Sequence, residues 1–181
     1  MTASSMASQS KLRLAGTEPE SIVDGRGFRY TVFVQGCPHG CPGCQNPQTH
    51  DFQGGVEVSV DDLFAEINDG DPLRRGVTFS GGEPFCQAEA LAALAFRIKN
   101  ETKYDLTVYS GWTYEELLEK AARGEAGVAE LLRLADYLID GPLLEAERDL
   151  TLRFRGSQNQ RVIDLNATRR AGHVVLDPLE D

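Results

Sequence analysis

Residues 37–44 read CPHGCPGC, a stretch that places Cys37, Cys41 and Cys44 in the spacing C-x3-C-x2-C. Proline follows each of the first two cysteines and glycine precedes the third, so this stretch is neither a regular helix nor a strand. Residues 30–35, YTVFVQ, are rich in β-branched and aromatic side chains, which predicts a strand. The thiols therefore lie in a loop at the carboxyl end of a strand, where open α/β folds place their ligands.

A second motif follows another predicted strand. Residues 77–79, VTF, lead directly into residues 80–84, SGGEP. The adjacent Gly81 and Gly82 let the backbone approach a ligand closely, and exposed carbonyls together with Glu83 would suit an amine. Taken alone, the motif has an alternative interpretation as a simple strand-to-helix turn. Because both motifs follow strands of one sheet, we expect them at the same rim.

Strands alternate with helices along the rest of the chain, which predicts parallel βαβ units. A closed (β/α)8 barrel typically needs about 250 residues, so 181 residues predict an open, partial (β/α) barrel, with a mostly parallel sheet and helices outside. Strands are predicted at residues 30–35, 77–79, 106–109, 137–139, 152–154 and 174–176. Helices are predicted at residues 59–67, 87–99, 113–122, 128–134 and 158–165.

Composition and charge restrict the class of protein. A net charge of −10 and a pI near 4.8 argue against a nucleic-acid-binding protein, because phosphate neutralisation needs a surplus of Lys and Arg. No apolar run is long enough for a membrane span, and the polar first ten residues do not resemble a signal peptide. We expect a cytoplasmic protein with a mobile tail over residues 1–20 and a single domain over residues 21–181. In such a reducing compartment, clustered cysteines more often bind metal or do redox chemistry than form disulfides.

The cysteine spacing is compatible with two alternative kinds of metal site. A structural zinc site needs four protein ligands, so His39, His50 or Cys86 would have to supply the fourth. A four-iron cluster held by three local thiolates would instead keep one iron free to bind a reactant. Otherwise Cys86 is interpreted as a buried small hydrophobe, and His39 as a solvated loop histidine.

The cysteine motif with its downstream Gly-Gly-Glu-Pro resembles the radical S-adenosylmethionine superfamily. More closely, the chain resembles the anaerobic ribonucleoside-triphosphate reductase-activating proteins, which are glycyl-radical-enzyme activases. Residues 153–164, RFRGSQNQRVID, are more specific to this family than the cysteine motif. The other matching stretches, in the family's order, are residues 23–46, 79–84, 108–117 (VYSGWTYEEL) and 138–142 (LIDGP). The resemblance implies that residues 21–181 form one radical S-adenosylmethionine domain with the partial-barrel fold.

The resemblance also implies a set of site residues. Cys37, Cys41 and Cys44 would ligate a [4Fe-4S] cluster whose free iron chelates the amino and carboxylate groups of S-adenosylmethionine. The cofactor-binding residues, with the last three in contacting or supporting roles, would be Gly43, Cys44, Gln45, Gly81, Gly82 and Glu83. No side chain is expected to act in catalysis beyond the cluster and the cofactor, because these groups supply the chemistry.

The reaction implied by the resemblance is reductive cleavage of S-adenosylmethionine, followed by abstraction of hydrogen from a glycine Cα. The protein substrate would be the anaerobic, class III ribonucleotide reductase, and a low-potential donor such as flavodoxin would supply the electron. One alternative is an activase for another glycyl-radical enzyme, or a radical enzyme for a small molecule. A second alternative is a non-catalytic iron–sulfur or zinc-binding module.

Overall fold

The computed structural model describes residues 10–178. Its strands are β1 (Lys11–Ser21), β2 (Phe28–Val34), β3 (Val56–Ser59), β4 (Arg74–Gly81), β5 (Asp105–Tyr109), β6 (Tyr137–Asp140) and β7 (Arg161–Asp164). Its α-helices are α1 (Val60–Ile67), α2 (Ala88–Glu101), α3 (Tyr114–Ala122), α4 (Val128–Leu134) and α5 (Leu165–Ala171). Short 3-10 turns cover Pro47–Thr49, Pro84–Gln87 and Glu145–Glu147. None of the helices within this part of the chain is long and apolar enough to cross a bilayer.

The strands form a single mixed sheet in the order β3-β1-β2-β4-β5-β6-β7. Strands β2, β4, β5 and β6 pair in parallel, whereas β1 and β3 on one flank and β7 on the other are antiparallel. Because β3 and β7 lie at opposite edges, the sheet is open. The predicted α/β fold, an open sheet with a parallel centre, is confirmed, and the antiparallel flanks add to it.

One face of the central strands is apolar. Val32, Phe79 and Val108 are paired across β2, β4 and β5, and all three are fully buried. They share one continuous core with helix residues such as Leu91 and Ile98 of α2. The apolar face predicted for this helix is therefore confirmed, and it covers the sheet as helices of α/β folds do.

The opposite face of the same strands is polar. Thr31, Thr78 and Thr107 form the paired row one residue earlier, and each is buried. Arg29, also fully buried, donates from Nε to Thr78 Oγ1 over 2.7 Å and from a terminal nitrogen to Thr107 Oγ1 over 3.1 Å. The same guanidinium pairs with Asp105. Because a buried charge must be paired and hydrogen-bonded, these hydroxyls make the position of Arg29 possible.

Strand β1 corrects the prediction of a mobile tail. Residues 1–9 of that predicted tail lie outside the described residues, but Lys11–Ser21 pair antiparallel with both β2 and β3. Leu12 and Leu14 are buried, whereas Lys11 is exposed. Residues 11–14 alternate between polar and apolar side chains, which is the pattern of a half-buried strand. The prediction missed this pattern because it is short and the rest of the segment is polar.

The C-terminal elements also differ from the prediction. Residues 161–164 form strand β7 instead of part of a helix, because Val162 and Ile163 are buried against β6 in antiparallel register. Helix α5 begins only afterwards, where Asp164 accepts a hydrogen bond from Ala167 N over 2.7 Å. Residues 152–154 form no strand, and Leu176 makes only an isolated bridge to Ile163.

Replacing Leu12 tests the strand assignment of β1. Leu12→Ala removes a fully buried side chain, so we expect the free energy of unfolding to fall by about 2–5 kcal/mol. Urea denaturation followed by circular dichroism measures this change. The matched control is Lys11→Ala at the exposed neighbouring position, which should stay within about 0.5 kcal/mol of the wild type. Equal stability of both variants would favour a mobile tail.

Candidate active site

Four segments meet at the carboxyl ends of the parallel strands β2, β4, β5 and β6. They are the cysteine loop 37–44, the motif at 80–84, and the segments that follow β5 and β6. Each contributes residues to one pocket of about 360 Å³. Parallel strands end at the same edge of a sheet, so segments distant in the sequence become neighbours there. The two motifs share this edge, as their positions after strands predict.

The cysteine loop leaves β2 through a sharp turn at Gly36, whose φ is +98°. Gly36 N donates to Thr49 O over 2.7 Å and Cys37 N donates to His50 O over 3.2 Å, which folds the loop back on the 3-10 turn that follows it. A Cβ at position 36 would come within 2.5 Å of the Phe52 ring. The left-handed backbone and the lack of space both require glycine here.

Cys37, Cys41 and Cys44 are half-buried and line the pocket. Cys44 Sγ accepts a hydrogen bond from Asn46 N over 3.4 Å. Burial raises the pKa of Cys37, and the negative charge of Glu83 adds to the shift. Because metals bind the thiolate form, metal binding at Cys37 must release a proton that the protein otherwise retains.

Within residues 10–178, no three His, Cys, Asp or Glu side chains converge closely enough to hold a single metal ion. The three thiols nevertheless line one pocket. A four-iron cluster takes each thiolate on a different iron, and thiolates are its ordinary ligands. The donor set in the cysteine loop therefore fits such a cluster.

Of the residues considered as a fourth ligand, His39 and His50 line the same pocket as the thiols, whereas Cys86 does not. His39 is paired with Glu83, and the interpretation of His39 as a solvated histidine is wrong because its side chain is only 15% exposed. Cys86 is exposed and lines a separate surface groove, so the expectation of a buried small hydrophobe is also wrong. His50 lines the pocket beside the thiols.

Gly81 and Gly82 line the pocket, and their lack of side chains has a structural cause. Gly82 N donates to Val34 O over 2.8 Å, so the motif runs against the end of β2. A Cβ at Gly81 would lie 2.7 Å from Phe33 Cα, and one at Gly82 would lie 2.3 Å from Gly36 O. The sequence predicts that these glycines let the backbone approach a ligand, and in the structure they bring the motif close to the end of β2 and to Gly36.

Glu83 lies behind the pocket wall and is 1% exposed. Its carboxylate accepts hydrogen bonds from Ser110 Oγ over 3.0 Å, Gly111 N over 2.8 Å and Phe85 N over 3.0 Å. A further contact of 2.7 Å joins it to His39 Nε2. Both carboxylate oxygens of Glu83 are hydrogen-bonded to protein groups, so Glu83 stabilises the conformation of the 80–84 motif.

Gly43 and Gln45 flank the last cysteine of the loop. Gln45 lines the pocket together with Cys44. Gly43 has a φ of +73°, and a Cβ there would lie 3.5 Å from a carboxylate oxygen of Glu145 and 3.7 Å from Arg148. Position 43 therefore lies beneath the segment that follows β6, and the cofactor contacts predicted for both residues stay predictions.

The segment after β6, residues 141–160, forms a wall of the pocket that element-by-element sequence reasoning misses. Tyr109 donates from its hydroxyl to Phe154 O over 2.6 Å, and Phe154 has a left-handed φ of +63°. Gln160 Nε2 donates to Gly141 O over 3.0 Å, which closes the segment on its own start. The family-specific stretch at residues 153–164 was the available signal, and it marks this wall.

Arg161 fastens the end of this wall to the sheet. Its guanidinium pairs with Asp140 at the end of β6 and with Glu115 in α3. Hydrogen bonds to these two carboxylates raise the pKa of Arg161. Asp140 also accepts a hydrogen bond from Tyr114 N over 2.7 Å at the start of α3. Arg161 is therefore a structural cation that joins β6, β7 and α3.

Comparison with known proteins agrees with this arrangement. Residues 23–163 match the family described as 4Fe-4S single cluster domain. The anaerobic ribonucleoside-triphosphate reductase-activating protein of Haemophilus influenzae is 34% identical over 148 residues, which cover 78% of this chain and 91% of that protein. The pyruvate formate-lyase-activating enzyme of Clostridium pasteurianum is 36% identical over 114 residues, covering 59% of this chain and 48% of that protein. Among solved structures, QueE from Escherichia coli aligns with a TM-score of 0.49 at 15% identity, over 77% of this chain and 74% of that chain.

The matched range 23–163 contains the cysteine loop, the motif at 80–84 and the whole wall formed after β6. The relative from Haemophilus influenzae is aligned over nearly its whole length. The chain therefore belongs to the 4Fe-4S single cluster domain family and to the family of anaerobic ribonucleoside-triphosphate reductase-activating proteins.

Proposed function

We propose that this protein is a radical S-adenosylmethionine activase that generates the glycyl radical of an anaerobic ribonucleoside-triphosphate reductase. The observation that carries the proposal is the shared pocket, which brings three cysteines and the Gly-Gly-Glu-Pro motif together in a chain of this family. Residues 21–181 would act as one unit, with β1 extending it on the N-terminal side. Its four free cysteines suit a reducing compartment such as the cytoplasm.

Cys37, Cys41 and Cys44 would hold a [4Fe-4S] cluster in the pocket. When bound, the cluster and S-adenosylmethionine together supply a reductive cleavage that leads to hydrogen abstraction from a glycine Cα. The protein would contribute by ordering the cysteine loop. The turn at Gly36 and the hydrogen bond from Asn46 N to Cys44 Sγ fix its two ends. The family membership and the fit of the thiol donors support this assignment.

The cofactor would lie between the cysteine loop and the 80–84 motif. Gly81, Gly82, Cys44 and Gln45 line the pocket and are the proposed contacts. The backbone of the two glycines is fixed against β2, so a ligand meets groups that are already ordered. Glu83 would support this surface from behind, and Gly43 would leave room beside the last cysteine.

A protein substrate needs access from outside. Val23 and Leu150 both line the pocket and are 71% and 80% exposed, so the pocket reaches the surface at apolar side chains. A glycine-bearing segment of the reductase could enter there. The electron would come from an external low-potential donor such as flavodoxin. Because this chain has a net charge of −10, the donor would have to dock where the surface charges of the two proteins are complementary.

Serine substitution of the three loop cysteines tests the cluster assignment. Cys37→Ser, Cys41→Ser and Cys44→Ser should each lose most of the iron and labile sulfide after anaerobic reconstitution, because a cluster ligand is removed. Formation of 5′-deoxyadenosine under dithionite should fall with them. Cys86→Ser is the matched control and should keep both. A wild-type protein that binds one zinc ion and no sulfide would contradict the proposal.

Gly82→Ala tests the role of the second motif. The added methyl group would lie 2.3 Å from Gly36 O, so the motif must move away from β2. We expect the rate of S-adenosylmethionine cleavage to fall by about tenfold to a hundredfold, since a displacement of about 1 Å can cost this much. Gly16→Ala is the control, because its Cβ would meet nothing within 4 Å. Cleavage at the wild-type rate would show that the motif does not position the cofactor.

The partner is tested by transfer of the radical. After anaerobic incubation with a class III ribonucleotide reductase, S-adenosylmethionine and dithionite, we expect a glycyl radical signal in electron paramagnetic resonance. The same incubation with pyruvate formate-lyase tests the second candidate, which the similarity to an activase of that enzyme favours. A signal on pyruvate formate-lyase alone would replace the proposed partner.

A further inference from the structure

His39 lies within the cysteine loop and lines the pocket, and its imidazole also contacts the segment that follows β5. Its Nε2 lies 2.7 Å from Glu83 Oε2. Its ring meets Trp112 edge-on, with ring centroids 4.7 Å apart at an angle of 70°. Trp112 is in turn covered by Lys120, whose Nζ lies 4.2 Å above the indole. The imidazole is therefore held both by a carboxylate and by an aromatic ring.

Gly111, in the segment that follows β5, leaves space for the imidazole of His39. A Cβ at Gly111 would lie 2.4 Å from His39 Cδ2, so any larger residue would occupy the space of the ring. Gly111 N also donates to the same Glu83 oxygen over 2.8 Å. One glycine thus makes room for the histidine and binds the carboxylate that the histidine binds.

The direction of the hydrogen bond follows from the other partners of Glu83. Ser110 Oγ, Gly111 N and Phe85 N all donate to this carboxylate. An ionised carboxylate only accepts, so the imidazole tautomer that fits this contact carries its hydrogen on His39 Nε2. Loss of that donor would leave a buried, charged acceptor short of one partner.

The contact matters because the loop has few other attachments. Backbone hydrogen bonds anchor its start at Gly36 and Cys37, and Cys44 N bonds to Cys41 O within the loop. Among the hydrogen bonds of residues 10–178, the His39–Glu83 pair is the one that joins loop positions 38–43 to the ends of other strands. The positions between the first and last cysteine therefore depend on it.

We propose that His39 is a positioning residue that holds the cysteine loop in register with the Gly-Gly-Glu-Pro motif by binding Glu83. Its effect on S-adenosylmethionine rests on the proposed function, because it would set the separation between the cluster and the cofactor. Its effect on the order of the loop does not depend on that function. In this role His39 acts through Glu83 and not on the reacting atoms.

Two substitutions separate the hydrogen bond from the ring. His39→Phe keeps an aromatic ring against Trp112 and removes the donor, whereas His39→Gln keeps an N–H donor of similar reach and removes the ring. His173→Phe, at an exposed histidine after α5, is the matched control. All are made in the full-length chain.

The first measurement needs no cluster and no activity. Hydrogen exchange of the full-length protein before reconstitution should show amides of residues 37–44 exchanging about tenfold faster in His39→Phe than in the wild type. His39→Gln and His173→Phe should exchange like the wild type. Unchanged exchange in His39→Phe would overturn the proposal even if the protein proves to have a different function.

The second measurement uses the reconstituted protein. In His39→Phe, iron and sulfide should match the wild type, while the KM for S-adenosylmethionine rises about tenfold and the cofactor-induced change in the cluster's electron paramagnetic resonance spectrum shrinks. His39→Gln should restore both. Loss of the cluster itself in His39→Phe, or failure of His39→Gln to restore the spectrum, would overturn the positioning role. A wild type that binds a cluster but cleaves no cofactor would instead refute the proposed function.

Discussion

The buried carboxylate of Glu83 joins the ends of three parallel strands. Glu83 follows β4, the strand that lies between β2 and β5 in the sheet, so it can reach the loops on both sides. It takes His39 from one loop and Ser110 and Gly111 from the other. A carboxylate that is 1% exposed is costly to bury unless it is fully hydrogen-bonded. Glu83 can therefore stay buried only while the loops after β2, β4 and β5 keep their relative positions. The geometry of the pocket depends on these same positions.

Beneath this junction, the inner face of the sheet is polar. Asp24 lines the pocket and accepts hydrogen bonds from Ser21 Oγ and Thr31 Oγ1, while its carbonyl accepts one from Thr78 Oγ1. Thr78 also accepts from Arg29 one layer deeper. The floor of the pocket is thus continuous with the layer of threonines that satisfies the buried guanidinium. An apolar inner face would remove the two threonine hydroxyls that accept hydrogen bonds from Arg29. The alternation of β-branched threonine with valine therefore suits both sides of the sheet.

The sequence predicts the parallel centre and the position of both motifs, because buried strands and glycine turns have strong local patterns. It does not predict β1 and β7, since polar flanking residues dilute the signal and the strands gain stability from partners distant in the chain. Nor does it predict the surroundings of His39, which depend on Gly111, a glycine 72 positions further along the printed sequence. The two motifs and the stretch at residues 153–164 predict the family, whereas the contact between His39 and Glu83 is visible only in the fold.

The wall after β6, residues 141–160, has a hydrogen-bonded base and an exposed tip. Phe154 has a φ of +63°, which is strained for an aromatic residue and is held by the hydrogen bond from Tyr109. Burial raises the pKa of Tyr109, so its hydroxyl remains a donor across the physiological range. The base of the wall is therefore held by a buried bond, whereas its tip at Leu150 is 80% exposed. Under the proposed function, a partner protein would meet this apolar tip first, and the hydrogen bond from Tyr109 would keep the base in place beneath it.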